Sequence, residues 1–176
     1  MPRRVPLSSR PLDFLYFAFM LIHIPATVLL DMQAICPQHL IPKILRDASE
    51  WYITFSGDPL IRGAFHGGPE FNWFRAFLYL EAFFQLPIFF LAARALYAGP
   101  PKSQAHYPLM LAYSASSCTT TFSCLAILWT STGLTQFQMP LLLGSYVPFF
   151  LVPFGMAVDM TLRLTKAQGP KTLKAE

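Results

Sequence analysis

Charged residues are scarce in this chain. Asp, Glu, Lys and Arg make up 12% of it, against roughly a quarter in soluble domains. From Ser103 to Val158 there is none at all. That shortage excludes a solvated domain and points to a lipid-embedded one. Nucleic acid is excluded as a partner too, because the net charge of +4 comes from short flanking clusters and no basic stripe interleaves with stacking aromatics. Cysteine is almost as scarce. Cys36, Cys118 and Cys124 are odd in number and match no zinc spacing, so neither a metal site nor a structural disulfide is expected. No cofactor motif and no internal repeat stands out.

What the chain does have is apolar length: 54% hydrophobic residues and a positive mean hydropathy. Four segments reach the roughly 20 residues that a membrane helix needs. They are residues 12–31, 73–96, 107–130 and 139–162. Arg3, Arg4 and Arg10 precede the first. Its length, and the Asp31-Met32-Gln33 that follows in place of small residues, argue for a retained span rather than a cleaved leader. The expected fold is all-α: one polytopic domain, a bundle of four membrane helices kinked by Pro25, Pro87, Pro148 and Pro153. The third segment is rich in Ser and Thr, which let helices approach closely, so it is expected to be central.

Residues 32–72 form the long loop. There Ile44, Leu45, Ala48, Trp51, Tyr52 and Phe55 at helical spacing predict one or two short amphipathic helices, the best candidate running from Ile41-Pro42 to Phe55. Nine of the thirteen Lys and Arg flank one side of the spans, which places both termini in the cytosol and the loop in the lumen.

Asp31 and Glu81 are the candidate functional residues. An acid within a membrane span is costly and marks a site by default. In a helical hairpin both lie in the lumenal half. Two close carboxylates do not both ionise cheaply, so they would share a proton, hold a cationic amine or donate a proton. Gln85 lies four residues beyond Glu81 and is expected on its face. His23 and Thr27 share Asp31's face, and Tyr146 and Thr120 offer hydroxyls from the last two spans. Against this stand plainer readings: Asp31 as a boundary residue, Glu81 as a partner for the carbonyl that Pro87 frees, and His23 as a packing residue.

The same residues carry a resemblance. His23-Ile24-Pro25, Asp31-Met32-Gln33-Ala34, Trp51-Tyr52, Asp58-Pro59-Leu60, residues 77–90 (FLYLEAFFQLPIFF), and the Tyr146-Val147-Pro148 and Leu151-Val152-Pro153-Phe154 runs resemble the sigma-2-receptor branch of the EXPERA-domain family. That family also holds the emopamil-binding sterol isomerases. The resemblance implies a homodimeric, multi-pass protein of the endoplasmic reticulum membrane that binds sterols and hydrophobic amines. It implies a part in cholesterol homeostasis and a Niemann-Pick type C cholesterol transporter as partner. By the same resemblance Asp31 pairs with the amine, Glu81 supports it, and Asp58 is structural. The alternative is a sterol Δ8-Δ7 isomerase using Glu81 and His23. The isomerases carry an acid four residues after the histidine, where this chain has Thr27. Phe149 stands where the receptor branch has a second tyrosine.

Overall fold

A computed structural model describes residues 5–167. Arg3, Arg4, Lys171, Lys174 and the rest of the chain's last nine residues lie outside the described residues. Every regular element is helical: α1 (Pro11–Leu29), α2 (Lys43–Ser56), α3 (Pro59–His66), α4 (Asn72–Leu80), α5 (Leu86–Ala98), α6 (Tyr107–Thr130) and α7 (Gln138–Ala167). The segment Glu81–Gln85 between α4 and α5 is a π-turn, so the two run on as one span.

Four helical stretches are long and apolar enough to cross a membrane: Pro11–Ala34, Pro69–Ala98, Gln104–Thr130 and Gln138–Ala167. The fourth extends about a turn beyond the length expected from hydropathy, because Arg163 and Lys166 continue the helix past its apolar stretch. The helix boundaries follow local chemistry. Pro11 and Pro59 occupy first-turn positions, where proline's missing N–H is no loss. Gly57 (φ 67°) and Gly99 (φ 77°) end α2 and the second span in the left-handed region that other residues avoid. The first span is bent. Its α-helix gives way at Leu30 (φ −124°, ψ −65°) to a 3₁₀ turn at Asp31–Ala34, five residues after Pro25.

The spans pack as two pairs, the first with the second and α6 along α7. Two cores result. Tyr16, Met20, Phe89, Met110, Tyr113 and Met156 fill the end near the termini. Ile53, Leu60, Phe74, Leu78, Leu128 and Leu142 fill the end near the long loop, where α2 and α3 cover the bundle. The outer faces are apolar. Ile22, Phe83, Phe122 and Trp129 are 61–78% exposed, as lipid-facing side chains of a membrane bundle should be.

The third span is less central than its serines and threonines suggested. Ser114 and Ser117 are buried, but Phe122 and Trp129 leave the opposite face open. Thr119, Thr120 and Ser123 each donate to a carbonyl of their own helix. Self-satisfied hydroxyls are tolerated in lipid without a partner helix.

Candidate functional site

Glu81 is placed by a proline. Pro87 has no N–H to offer, and its ring crowds the preceding turn. The helix opens there into a π-turn, in which Leu86 N–H reaches back five residues to the Glu81 carbonyl. Such turns favour functional sites because they re-aim one side chain. Glu81 here points to the first span. Thr27 donates to its Oε1 through a short hydrogen bond, and His23 Nε2 lies 3.4 Å from the same oxygen. His23 is itself clamped. It stacks on Phe89 (4.5 Å), meets Phe149 edge-on (4.6 Å) and has the Tyr113 hydroxyl 3.4 Å from Nδ1.

Gln85 does not partner Glu81, although its spacing had suggested it; its amide turns to the third span instead. Gln85 is buried and donates to Ser116 Oγ at 3.2 Å, away from Glu81.

A cavity of about 240 Å³ opens between the spans at the loop end. His23, Asp31, Glu81, Thr120 and Tyr146 line it, with Phe74, Phe77 and Phe149. Five of the residues singled out from sequence therefore meet, and Thr27 is held against one of them. Pro25 and Pro87 shape the two spans and do not line the cavity. Two of the hydroxyls are already engaged. Thr120 donates to carbonyls of its own helix, and Tyr146 donates to Asp58 Oδ2 at 2.9 Å.

Asp31, half-buried, differs from the other acids set within the bundle. Asp13 is bound by two arginines, Glu81 by Thr27 and His23, and Asp58 by four donors. The Asp31 carboxylate accepts no hydrogen bond from any described residue. The charged groups that act on it are Glu81 and Asp58, both acidic. Three acidic side chains thus converge on one side of an otherwise apolar, aromatic cavity.

Asp58 lies behind that wall. It is fully buried at the start of α3 and caps it, Oδ1 accepting from the N–H groups of Leu60 (2.9 Å) and Ile61 (3.2 Å). Oδ2 accepts from Tyr146 and, at 3.2 Å, from Tyr52. Both tyrosines line the cavity. Burial outweighs these four donors and holds the Asp58 carboxyl above the usual carboxylate range. Burial and the neighbouring Asp58 charge push the Tyr52 phenol up in turn.

Sequence reasoning missed a second polar cluster at the opposite end. Arg163 of α7 binds Asp13 of α1 (2.6 Å) and Asp159 (2.7 Å), and donates to the Tyr107 hydroxyl at the start of α6 (3.2 Å). Arg10 also bridges to Asp13 and donates to the Leu96 carbonyl of α5 (2.8 Å). All four spans are tied here, with both described chain ends on the same side of the bundle. The signal available was Asp13, an acid just inside an apolar run. Read as flanks, these charges had suggested only topology.

Comparison with known proteins identifies the family. Residues 44–160 match the family described as EXPERA (EXPanded EBP superfamily). The chain is 34% identical over 162 residues to sigma intracellular receptor 2 of Xenopus tropicalis, covering 88% of this chain and 90% of that one. It is 30% identical over 166 residues to the Homo sapiens sigma intracellular receptor 2, with the same two shares covered. A fainter likeness, 24% over 168 residues, covers 93% of this chain and 82% of the efficient mitochondria targeting-associated protein 19 of Schizosaccharomyces pombe. With four membrane-length helices and homology on this scale to sigma intracellular receptor 2, the chain is a multi-pass membrane protein that belongs to the EXPERA family.

Proposed function

We propose that this protein binds hydrophobic amines and sterols within the endoplasmic reticulum membrane without transforming them, and so serves cholesterol homeostasis. The observation that carries this reading is the Asp31 carboxylate, without a hydrogen-bond donor among the described residues, on the wall of an aromatic cavity. A desolvated acid lacking a donor attracts an ammonium group strongly. Phe149, Phe74 and Phe77 line the same cavity and supply aromatic surface for the cation and its apolar body. Glu81, held by Thr27 and His23, supports the site as the second acid.

The cavity also limits what fits. Sites for drug-sized ligands run to roughly 300–1,000 Å³, so about 240 Å³ takes a compact amine whole and only part of a sterol. The remainder of a sterol would lie between the spans. The distribution of basic residues supports both termini in the cytosol, and we extend the proposal to a homodimer and to association with a Niemann-Pick type C-like cholesterol transporter.

The test is equilibrium binding of a radiolabelled hydrophobic amine to purified protein, with an oxysterol as competitor. Saturable binding displaced by the oxysterol is expected. Absence of saturable binding would overturn the reading.

One observation favours a second reading, a sterol Δ8-Δ7 isomerase. His23 Nε2 and Glu81 Oε1 lie 3.4 Å apart on the cavity wall. Moving a double bond requires protonation at one carbon, loss of a proton at another and stabilisation of the carbocation between them. A histidine–carboxylate pair has the groups for this, but Thr27 occupies the position of the isomerases' additional acid. Incubation with a Δ8 sterol separates the two readings. Conversion that is lost in both Glu81→Gln and His23→Ala would establish the enzyme.

A further inference from the structure

We infer that α2, although it belongs to the long loop, lies in the surface of the bilayer, with a second apolar face buried in the leaflet opposite the chain termini. The helix has three faces. Ser49, Ile53 and Ser56 are buried against the protein. A second face, about a third of a turn round, carries Ile44, Ala48, Trp51 and Phe55 at spacings of four, three and four residues. Of these, Ile44 is 76% exposed, Trp51 65% and Phe55 44%. The third face holds Lys43, Asp47 and Glu50. Lys43 bridges to Asp47 at 2.6 Å, and Glu50 meets His66 of α3 at 3.0 Å. A water-exposed helix needs one apolar face for its core contact and no second one. A helix that rests on a protein and also on lipid needs two.

Both ends of α2 are fixed at the level where the chain crosses into the membrane. At the C-terminal end, Gln138, the first residue of α7, donates to the Phe55 carbonyl at 3.4 Å, and Phe55 meets the ring of Phe137 at 5.8 Å. At the N-terminal end, Arg46 donates to the Gln38 carbonyl at 3.2 Å, and the Gln38 amide to the carbonyl of Gln33, at the end of the first span, also at 3.2 Å. A helix tethered at both ends to span termini lies along the membrane plane. Its exposed ridge, about 16 Å from Ile44 to Phe55 at 1.5 Å per residue, then stays at one depth.

The ridge is continuous with the lipid-facing surface of the spans. Trp51 stacks on Phe55 (5.1 Å, interplanar angle 6°), and Phe55 leads to Phe137, 60% exposed at the head of α7. An indole at headgroup depth with aliphatic side chains beside it is the pattern of an interfacial helix. This continuity commits the surface to lipid rather than to a second copy of the chain. It also gives the leaflet a grip on the cavity, because Tyr52, the neighbour of Trp51, lines it.

The test uses the full chain in phosphatidylcholine nanodiscs at one copy per disc, with Trp73→Phe and Trp129→Phe so that Trp51 is the chain's sole tryptophan, excited selectively over the tyrosines. Lipid brominated high on the acyl chain should quench Trp51 strongly, aqueous iodide should have little effect, and emission should be blue-shifted. Quenching by iodide with red-shifted emission would overturn the inference. So would shielding from both quenchers, which would mean a protein contact. If the tryptophan variant does not fold, Ile44→Cys and Asp47→Cys in proteoliposomes give an independent readout against the wild-type thiol background. A membrane-impermeant maleimide applied to the face bearing the loop should label position 47 and fail at 44. Equal labelling of the two would overturn the inference.

Discussion

Replacing Asp58 tests how the cavity wall is built. Its two oxygens have separate duties, so Asp58→Ala and Asp58→Asn should differ. Alanine loses the α3 cap, worth about 1 kcal/mol. It also strands the Tyr52 and Tyr146 hydroxyls, each at about 1 kcal/mol, the low end for donors only partly buried. The sum is about 3 kcal/mol, or a fall in melting temperature of roughly 6–12 °C for a chain of this size. Asparagine keeps an acceptor for Leu60 and Ile61 N–H and turns an amide towards two hydroxyls that can accept, so its cost should be about 1 kcal/mol. The pH dependence has a definite sign. Because the folded-state carboxyl titrates above its unfolded value of about 3.9, the native protein binds that proton more tightly. Wild-type stability measured against Asp58→Asn should therefore be highest below about pH 4. It should fall as pH rises through the raised value and then level off. Thermal unfolding followed by tryptophan fluorescence across this range reads both effects. If alanine and asparagine melt together, or if the gap between wild type and Asp58→Asn ignores pH, the two-duty account of Asp58 is wrong.

Arg163→Ala should cost roughly 3 kcal/mol, the low end for breaking a buried pair, since Arg10 still faces Asp13. Adding Asp13→Asn should deepen that loss in the same melting assay, because it takes the remaining carboxylate partner from Arg10, while amine affinity stays near wild type because the cluster lies at the opposite end from the cavity. Gln85→Ala should lower stability by about 1 kcal/mol through its lost bond to Ser116, and should leave the amine dissociation constant unchanged in a saturation titration.

The bundle was legible because membrane length is written in composition. An apolar run cannot be anything else when no charge interrupts it for two spans. Asp58-Pro59 carried its cap locally, and α2 showed its period. What was not legible depended on long-range placement. Arg163 finds Asp13 across 150 residues, and neither position signals the other. Thr27, read as the place of a missing acid, turns out to grip Glu81 across 54 residues. Gln85 was assigned to Glu81 by helical spacing, but its amide finds Ser116 of the third span, 31 residues away. The third span's hydroxyls suggested helix contacts, but many are spent on their own backbone.

The central claim is that Asp31 is the counter-ion of the bound amine. The direct measurement is saturation binding of a hydrophobic cationic amine to wild-type and Asp31→Asn proteins, with melting curves to show that both fold. The substitution should leave the fold intact, because no described residue donates to Asp31. It should weaken binding at least about a hundredfold, the equivalent of about 3 kcal/mol for a charge-assisted bond. A folded Asp31→Asn protein that binds the amine as tightly as wild type would contradict the account and move the counter-ion to Glu81.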